Sequence, residues 1–480
     1  MSDIRYLCIS DLHLGADNSL LTHSGPKIGE VNPHYPSPVL KELANCIREL
    51  VRHNGGVVKP TLILNGDLLE LALAEDHVAL MAFERFIELM FPSDRDHLFD
   101  RQIIFNPGNH DHHLWETARE TQYVEFLEGK RSAKALGALP PPWHTTKMHN
   151  PDFVSCRLLN AVIGRHAHLT GRGVQVGTVY PNLAFESRDG ERRVIFSHGH
   201  FVESVYMLMS SIGDFVFPNR KMPERIWEIE TENFAWIDFF WSALGRSGAV
   251  GKDIEQVYDM LLVPKARQDF IRQLARAGGR QWFRHWPKLG EFLSLFFVPF
   301  ISMELRHLGA LEKRQAGEVL TRHAILGLKA YVEGPLAKQI EEECRDSTRA
   351  QTTFVFGHTH KPFSAPFQFA HFTGPVHVHN SGGWVVDTRQ TETAHGGALV
   401  LADEDLNVVS VRMYNETENH HGAPVKVETI DGRENPLSKH LVGFVNREQE
   451  PWLSFSKVVG ENVSAYHRRF QDRLNLVRTS

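Results

Sequence analysis

Cysteine is scarce in this 480-residue chain, and its four copies stand far apart. Cys8, Cys46, Cys156 and Cys344 form no CxxC pair, so the sequence favours neither a disulfide scaffold nor a cysteine-ligated zinc site. No run of about 18 apolar residues is present, so we expect no transmembrane helix. The first residues lack the basic and apolar regions of a signal peptide, which favours a cytoplasmic protein.

A strong excess of one charge is also missing. Lysine and arginine total 52 while aspartate and glutamate total 58, which gives a net charge of -6. This balance does not favour sequence-independent nucleic-acid binding, so we expect no nucleic acid as a structural partner. The hydrophobic fraction of 42% is enough for a large core, which excludes a wholly disordered chain. Histidine, in contrast, is abundant with 28 copies, and this prompts a search for a metal site.

Short apolar runs typical of buried strands end repeatedly in polar clusters. Such runs at 5–10, 61–65, 102–105, 192–197 and 353–356 precede these five motifs: Asp11-Leu-His13, Gly66-Asp67, Gly108-Asn109-His110-Asp111, His198-Gly-His200 and Gly357-His358-Thr-His360. Ligands of open α/β sheets sit at the carboxyl ends of the strands. We therefore expect the five motifs to form one shared site.

The motifs supply carboxylate oxygens, imidazole nitrogens and one amide oxygen, but no thiolate. This donor set suits Mn²⁺, Fe or Zn²⁺. The donors are too numerous for one ion, but they suit two ions that share a bridging carboxylate. The neighbouring glycines permit the tight turns that would bring the ligands together.

In their order along the chain, the five motifs resemble those of the calcineurin-like metallophosphoesterase superfamily. The resemblance implies an α/β fold, a four-layer αββα sandwich of two mixed β-sheets flanked by helices, with a large helical insert. It also implies two divalent metal ions, with Mn²⁺ favoured, held by these ligands: Asp11, His13 and His360 for the first ion, Asn109, His198 and His358 for the second, and Asp67 between both. The implied catalytic residues are His110, beside the leaving-group oxygen, and Asp111, which would orient His110.

The activity implied by this resemblance is hydrolysis of a phosphodiester or diphosphate bond. Paired ions lower the pKa of a water held between them, so a bridging hydroxide is expected to attack phosphorus in line. A soluble nucleotide phosphodiesterase or a phosphoprotein phosphatase is the alternative enzyme. A non-catalytic scaffold of the same fold is the least favoured reading, because the sequence retains every ligand position.

The strand pattern breaks off between the fourth and fifth motifs. We expect a metallophosphoesterase core in two parts, residues 1–200 and 346–414, with a mainly helical cap insert at 201–345. Residues 415–480 are predicted to be a C-terminal extension, and their structure is left open. The position of the insert resembles that of the lid in UDP-2,3-diacylglucosamine pyrophosphohydrolases, which suggests a lipid-like or nucleotide-sugar substrate.

Part of the insert has the composition of an interfacial element. Basic and aromatic residues interleave at 265–288, and the apolar run 292–303 follows at once. This pattern favours peripheral contact with a lipid or with the inner face of a membrane through residues 201–335. The alternative is an ordinary helical cap, with its aromatic residues in a core and its charges in solvent.

Three further histidines adjoin the motifs. His112 and His113 follow the third motif, and we consider both a solvated helix start and substrate contact. His200 ends the fourth motif and is interpreted as a substrate contact or as a neighbour of the ligands.

Overall fold

The computed structural model describes residues 2–25, 30–56, 58–94, 96–129, 143–217, 219–243, 319–344, 349–386, 388, 391–417 and 422–479. The two stretches that suggest an interfacial element, 265–288 and 292–303, lie outside these residues. Within the described ranges, no helix combines the length and the apolar character that crossing a bilayer requires.

The strands of the described residues form two mixed sheets. Their bounds are β1 Tyr6–Ile9, β2 Thr61–Leu64, β3 Gln102–Phe105, β4 Val154–Ser155, β5 Gln175–Thr178, β6 Asn182–Glu186, β7 Arg192–Ser197, β8 Gln351–Phe356, β9 Phe363–Phe367, β10 Val376–Asn380, β11 Gly396–Ala402, β12 Val408–Asn415 and β13 Lys426–Glu428. The first sheet has the order β13-β12-β11-β1-β2-β3-β5-β4, and the second has the order β6-β7-β8-β10-β9. Parallel pairs form the centre of each sheet, and antiparallel strands complete the edges.

Helices cover the outer faces of both sheets. Their bounds are α1 Pro38–Arg52, α2 Asp76–Met90, α3 His112–Glu128, α4 Arg157–Gly164, α5 Ala167–Thr170, α6 Leu208–Val216, α7 Ile226–Ile237, α8 Arg322–Tyr331, α9 Ala337–Glu343, α10 Pro436–Val442 and α11 Trp452–Thr479. Helix α1 illustrates why they form where they do. Pro38 occupies its first turn, the side chain of Ser37 accepts the N–H of Leu40, and apolar residues at helical spacing are buried.

Alternation along the central strands builds the layers, because successive side chains point to opposite faces of a sheet. In β1, Leu7 and Ile9 pack among residues of α1 and α2, whereas Cys8 lies between the two sheets. In β8, Phe354 packs among residues of α7 and α8, whereas Val355 lies between the sheets. The layers therefore run helix, sheet, sheet, helix, which confirms the four-layer sandwich predicted from the motifs.

The described residues between β7 and β8 are helical or irregular. Two 3₁₀ turns, His200–Val202 and Ser204–Met207, lead into α6 and α7, and α7 continues into a π-helical turn at Asp238–Ala243. Helices α8 and α9 return the chain to β8. Ile229 of α7 and Leu328 of α8 share one core with the second sheet, so these helices form its outer layer.

The residues after β12 pack against the first sheet. Strand β13 pairs with β12 at the sheet edge, and α11 lies along α1. Trp452 and Phe455 of α11 are fully buried in the core of that layer. The hydroxyl of Tyr466 donates to the carbonyl oxygen of Ser19 over 3.1 Å, so α11 also supports the loop that follows the first motif.

Candidate metal centre

The motifs that follow β1, β2 and β3 meet those that follow β7 and β8 where the two sheets adjoin. The backbone angle φ is positive at Asp11, His13, Asp67, His358 and His360, with values between 45° and 66°. A residue with a side chain rarely adopts this left-handed conformation, which costs about 1–3 kcal/mol and is concentrated at functional sites. The loops are therefore shaped to bring these side chains together, at a cost in local backbone strain.

Glycine permits the close approach at two positions. A Cβ atom on Gly108 would lie 2.2 Å from Oδ1 of Asp67, and one on Gly357 would lie 2.1 Å from Oδ2 of Asp11. Both distances are far shorter than real contacts. The glycines of the third and fifth motifs therefore leave the space that the carboxylates occupy.

Asp11, His13 and His360 form the first donor group. Nε2 of His360 lies 3.3 Å from Oδ1 of Asp11 and 3.3 Å from Nε2 of His13. All three residues are buried. Their donor atoms lie within 4.8 Å of one another, so this group could hold a divalent cation.

Asn109, His198 and His358 form the second donor group. Nε2 of His198 lies 3.1 Å from Oδ1 of Asn109 and 3.3 Å from Nδ1 of His358. These residues are also buried. Together with Asp67, the two imidazoles form a second set whose ligand atoms lie within 4.8 Å of one another.

Asp67 lies between the two donor groups. Its Oδ2 atom is 3.6 Å from Nε2 of His13 and 3.4 Å from Nε2 of His198. This oxygen is buried and has no hydrogen-bond partner among the described residues, whereas Oδ1 accepts the backbone N–H of His110 over 2.8 Å. A buried carboxylate oxygen without a donor is costly. A cation on either side would satisfy it, so the residues fit the predicted metals.

Charges inside the centre shift the pKa values of its residues. Burial opposes ionisation of Asp67, but the charges of His198 and His110 outweigh it and hold the pKa of Asp67 well below its usual range. Burial also lowers the pKa of His198, yet the charges of Asp67 and Asp11 overcome this and raise it to about 9. A cation that binds beside His198 therefore has to displace its proton.

Glu70 is a residue of this centre that the sequence reasoning missed. One of its carboxylate oxygens lies 2.9 Å from Nδ1 of His110, and the other lies 2.9 Å from Nδ1 of His13. Glu70 thereby fixes both rings, so that their Nε2 atoms remain for other contacts. Its position three residues after Asp67, in the same strand-end loop, was a signal that the sequence offered.

Asp111 does not orient His110, as the resemblance had implied. Its carboxylate accepts backbone N–H bonds instead, from Gly108 over 2.7 Å and from Leu68 and Leu69 over 2.7 and 3.2 Å. The prediction for Asp111 is wrong because the loops after β2 and β3 cross at this carboxylate, while Glu70 reaches the ring. Asp111 joins the two loops that carry Asp67 and His110.

His112 is fully buried and His113 is 22% exposed, and neither belongs to the two donor groups. Nε2 of His112 lies 2.8 Å from a carboxylate oxygen of Glu230, and Nδ1 of His113 lies 2.9 Å from Asp238. The side chains of His112 and Glu230 are both fully buried. Helix α7 and the turn after it therefore hold the first turn of α3, directly after the third motif. No periodicity or motif in the sequence predicts these contacts.

His200 belongs to the same buried network. Its Nε2 lies 3.2 Å from the hydroxyl of Tyr180, which donates to the second carboxylate oxygen of Glu230 over 2.9 Å. Burial, followed by the charges of His198 and His358, holds the pKa of His200 well below its usual range. His200 therefore stays neutral beside the second donor group.

These features can be compared with known proteins. A family model described as calcineurin-like phosphoesterase matches residues 4–242, a range that includes the first four motifs. No match was found among curated proteins. The family match agrees with the two mixed sheets and with the buried clusters of histidine and carboxylate side chains. The chain therefore belongs to the calcineurin-like phosphoesterase family, which indicates a hydrolase of phosphoester substrates.

Proposed function

We propose that the protein is a dinuclear metal-dependent phosphoesterase that hydrolyses a phosphodiester or diphosphate bond. The observation that carries this proposal is the position of Asp67 Oδ2, which is buried, makes no aligned hydrogen bond among the described residues and is flanked by His13 and His198. In the proposal, Asp67 is the ligand shared by both ions. Asp11, His13 and His360 complete the first site, and Asn109, His198 and His358 complete the second. Manganese is favoured, and iron and zinc accept the same donors.

When bound, two divalent ions would activate a water for in-line attack and neutralise negative charge on the phosphoryl oxygens. The residues of the chain supply the rest of the mechanism. His110 would donate a proton from Nε2 to the leaving oxygen, since that atom is buried and has no hydrogen-bond partner among the described residues. Glu70 would hold the His110 ring in the orientation for this transfer through Nδ1. Asp111 would keep the loops of Asp67 and His110 in register.

We favour a diester or diphosphate over a monoester because the helices after β7 stand next to the second donor group. Such a layer gives a substrate with groups on both sides of phosphorus a surface to contact. The likeness of the insert to the lid of the diacylglucosamine enzymes extends this proposal to a nucleotide-sugar or lipid-like substrate. Cytoplasmic location, and contact with a lipid or the inner face of a membrane through residues 201–335, remain predictions.

The test compares four substrates on Mn²⁺-loaded protein, with ³¹P NMR to identify the products. They are bis-p-nitrophenyl phosphate, p-nitrophenyl phosphate, a phosphoserine peptide and a detergent-dispersed nucleoside-diphosphate acyl sugar. We expect the diester or the diphosphate to be hydrolysed fastest, and we expect EDTA to stop turnover and Mn²⁺ to restore it. Preference for the monoester or the peptide would favour a phosphoprotein phosphatase. If none of the four substrates were hydrolysed while both ions were bound, a non-catalytic scaffold would be favoured.

A further inference from the structure

His358 presents its two ring nitrogens to different parts of the molecule. Nδ1 faces the second donor group, 3.3 Å from Nε2 of His198. Nε2 faces the opposite way and lies 3.2 Å from Oε1 of Glu203. This is the separation of an ion pair, and the two atoms are not aligned as a hydrogen bond. The His358 side chain is fully buried, and that of Glu203 is only 10% exposed. A carboxylate that is nine-tenths buried thus stands behind a predicted metal ligand.

The first donor group contains the same arrangement. Nε2 of His13 faces Asp67 and His360, while Nδ1 lies 2.9 Å from Glu70. A histidine that binds a metal usually donates its other N–H to a carboxylate, a carbonyl or water, and this contact fixes the ring and its tautomer. Glu70 meets this requirement for the first group. The matching carboxylate of the second group comes from the start of the helical layer after β7.

The backbone around Glu203 is held firmly. Its N–H donates to the carbonyl oxygen of His200 over 3.0 Å, and its own carbonyl accepts the N–H of Tyr206 over 3.1 Å. Helix α8 packs tightly against Val202, the residue before Glu203. A Cβ on Gly327 of this helix would lie only 1.8 Å from the carbonyl oxygen of Val202. Glu203 therefore projects from a fixed junction between two 3₁₀ turns.

The charges of the proposed centre also favour a carboxylate behind His358. In the proposed centre, two divalent cations face the carboxylates of Asp11 and Asp67 as direct ligands. Glu70 and Glu203 add two further negative charges, one behind an imidazole of each site. Buried charges are tolerated where they are compensated, so the two glutamates match the remaining positive charge.

We propose that Glu203 is a positioning residue of the second metal site. When the cation is bound, Glu203 would accept the Nε2 proton of His358 and thereby direct the Nδ1 lone pair to the cation. This inference rests on the proposed dinuclear function and deepens it. The helical layer after β7 then completes the metal centre itself and is not only a cover over it.

The experiment titrates chelator-treated full-length protein with Co²⁺, followed by visible absorption and calorimetry, without any substrate. The variants are Glu203→Gln, which removes the charge, and Glu203→Ala, which removes the acceptor as well. We expect the wild type to bind two ions. The affinity for one of them, the ion of the second site, should fall by about 10-fold in the Gln variant and by up to about 100-fold in the Ala variant. The Co²⁺ absorption band of that ion should change, while the other binding step stays within twofold.

Glu232→Gln is the matched control. Glu232 lies in the same helical layer, but its partner is Arg220 at 2.7 Å and not an imidazole. We expect both Co²⁺ affinities of this variant to equal those of the wild type. Circular dichroism before each titration establishes that a variant is folded. If Glu203→Ala is unfolded, the test relies on Glu203→Gln alone.

The outcomes separate this inference from the proposed function. Unchanged affinities in both folded Glu203 variants would overturn the role of Glu203 while leaving the dinuclear centre intact. An equal loss at both binding steps, or the same loss in the Glu232 variant, would also overturn it, because the effect would then be a general one. Wild-type protein that binds no Co²⁺ would refute the proposed function and the inference together.

Discussion

The ion pair between His112 and Glu230 allows a sharp test of how α7 is attached to the core. The two side chains are fully buried and 2.8 Å apart, and Tyr180 donates to the other oxygen of the same carboxylate. We consider the variant Glu230→Gln, which keeps the shape of the side chain and removes its charge. The expected result is a loss of stability that depends on pH.

The magnitude follows from the pKa of His112. Burial lowers this pKa, but the charge of Glu230, followed by the Asp238 carboxylate 3.9 Å away, outweighs burial and raises it from 6.5 to about 10. At pH 7 that shift corresponds to about 4 kcal/mol of stability, at 1.36 kcal/mol per pKa unit. Because Asp238 and Glu116 contribute to the shift as well, we expect Glu230→Gln to lose roughly 2–3 kcal/mol, somewhat less than the roughly 3–5 kcal/mol of breaking an isolated buried ion pair.

The direction of the pH dependence follows from the linkage between proton binding and folding. A histidine whose pKa is raised by folding stabilises the folded state in its protonated form. The stabilisation is complete below about pH 6.5, the pKa of the unfolded chain, and is lost as the pH rises through about 10. The stability deficit of Glu230→Gln should therefore be largest at pH 6 and should shrink steadily towards pH 10.

The assay is guanidinium unfolding at pH 6, 8 and 10, in EDTA so that metal binding does not contribute. The control is Glu232→Gln, whose partner Arg220 stays protonated across this range, so its small deficit should not change with pH. A deficit of Glu230→Gln that is equal at pH 6 and pH 10 would refute the reasoning. So would a variant as stable as the wild type at pH 6.

Two further predictions concern the shared ligand of the centre and the packing of α8. Asp67→Asn should lower kcat/KM by about a thousandfold, equivalent to ~4 kcal/mol, because the shared ligand loses its charge. If metal analysis showed both ions bound and turnover were still complete, Asp67 would not be the shared ligand. Gly327→Ala should lower stability by about 1–3 kcal/mol in thermal unfolding, because its Cβ would collide with the carbonyl oxygen of Val202. Gly334→Ala, where a Cβ meets nothing within 4 Å, should leave the unfolding temperature unchanged or slightly raised, and an equal loss in both variants would count against the collision.

Much of the centre is readable from the sequence because strand ends are local features. An apolar run that stops at Asp11 or Asp67 indicates both a buried strand and a polar residue at its carboxyl end. Parallel strands bring their carboxyl ends to one edge, so five such runs predict one site without any knowledge of the fold. The two-sheet sandwich was likewise predicted from the motifs, through the family that they resemble.

The contacts around the ligands were not readable in this way. Asp111 and Glu70 stand in neighbouring strand-end loops, and only the crossing of these loops decides which carboxylate reaches His110. Glu203 and Glu230 have no spacing that distinguishes them from other glutamates of the helical layer.

The sequence by itself therefore determined which residues end the strands and what chemistry those residues offer. The tertiary structure alone decided which carboxylate stands behind each imidazole. The physical reason is range: strand and turn preferences act over a few neighbouring residues, whereas burial of a charge requires partners brought together from distant segments. His112 and Glu230 lie 118 positions apart, and His358 and Glu203 also come from separate segments, so only packing of the helices on the second sheet pairs them.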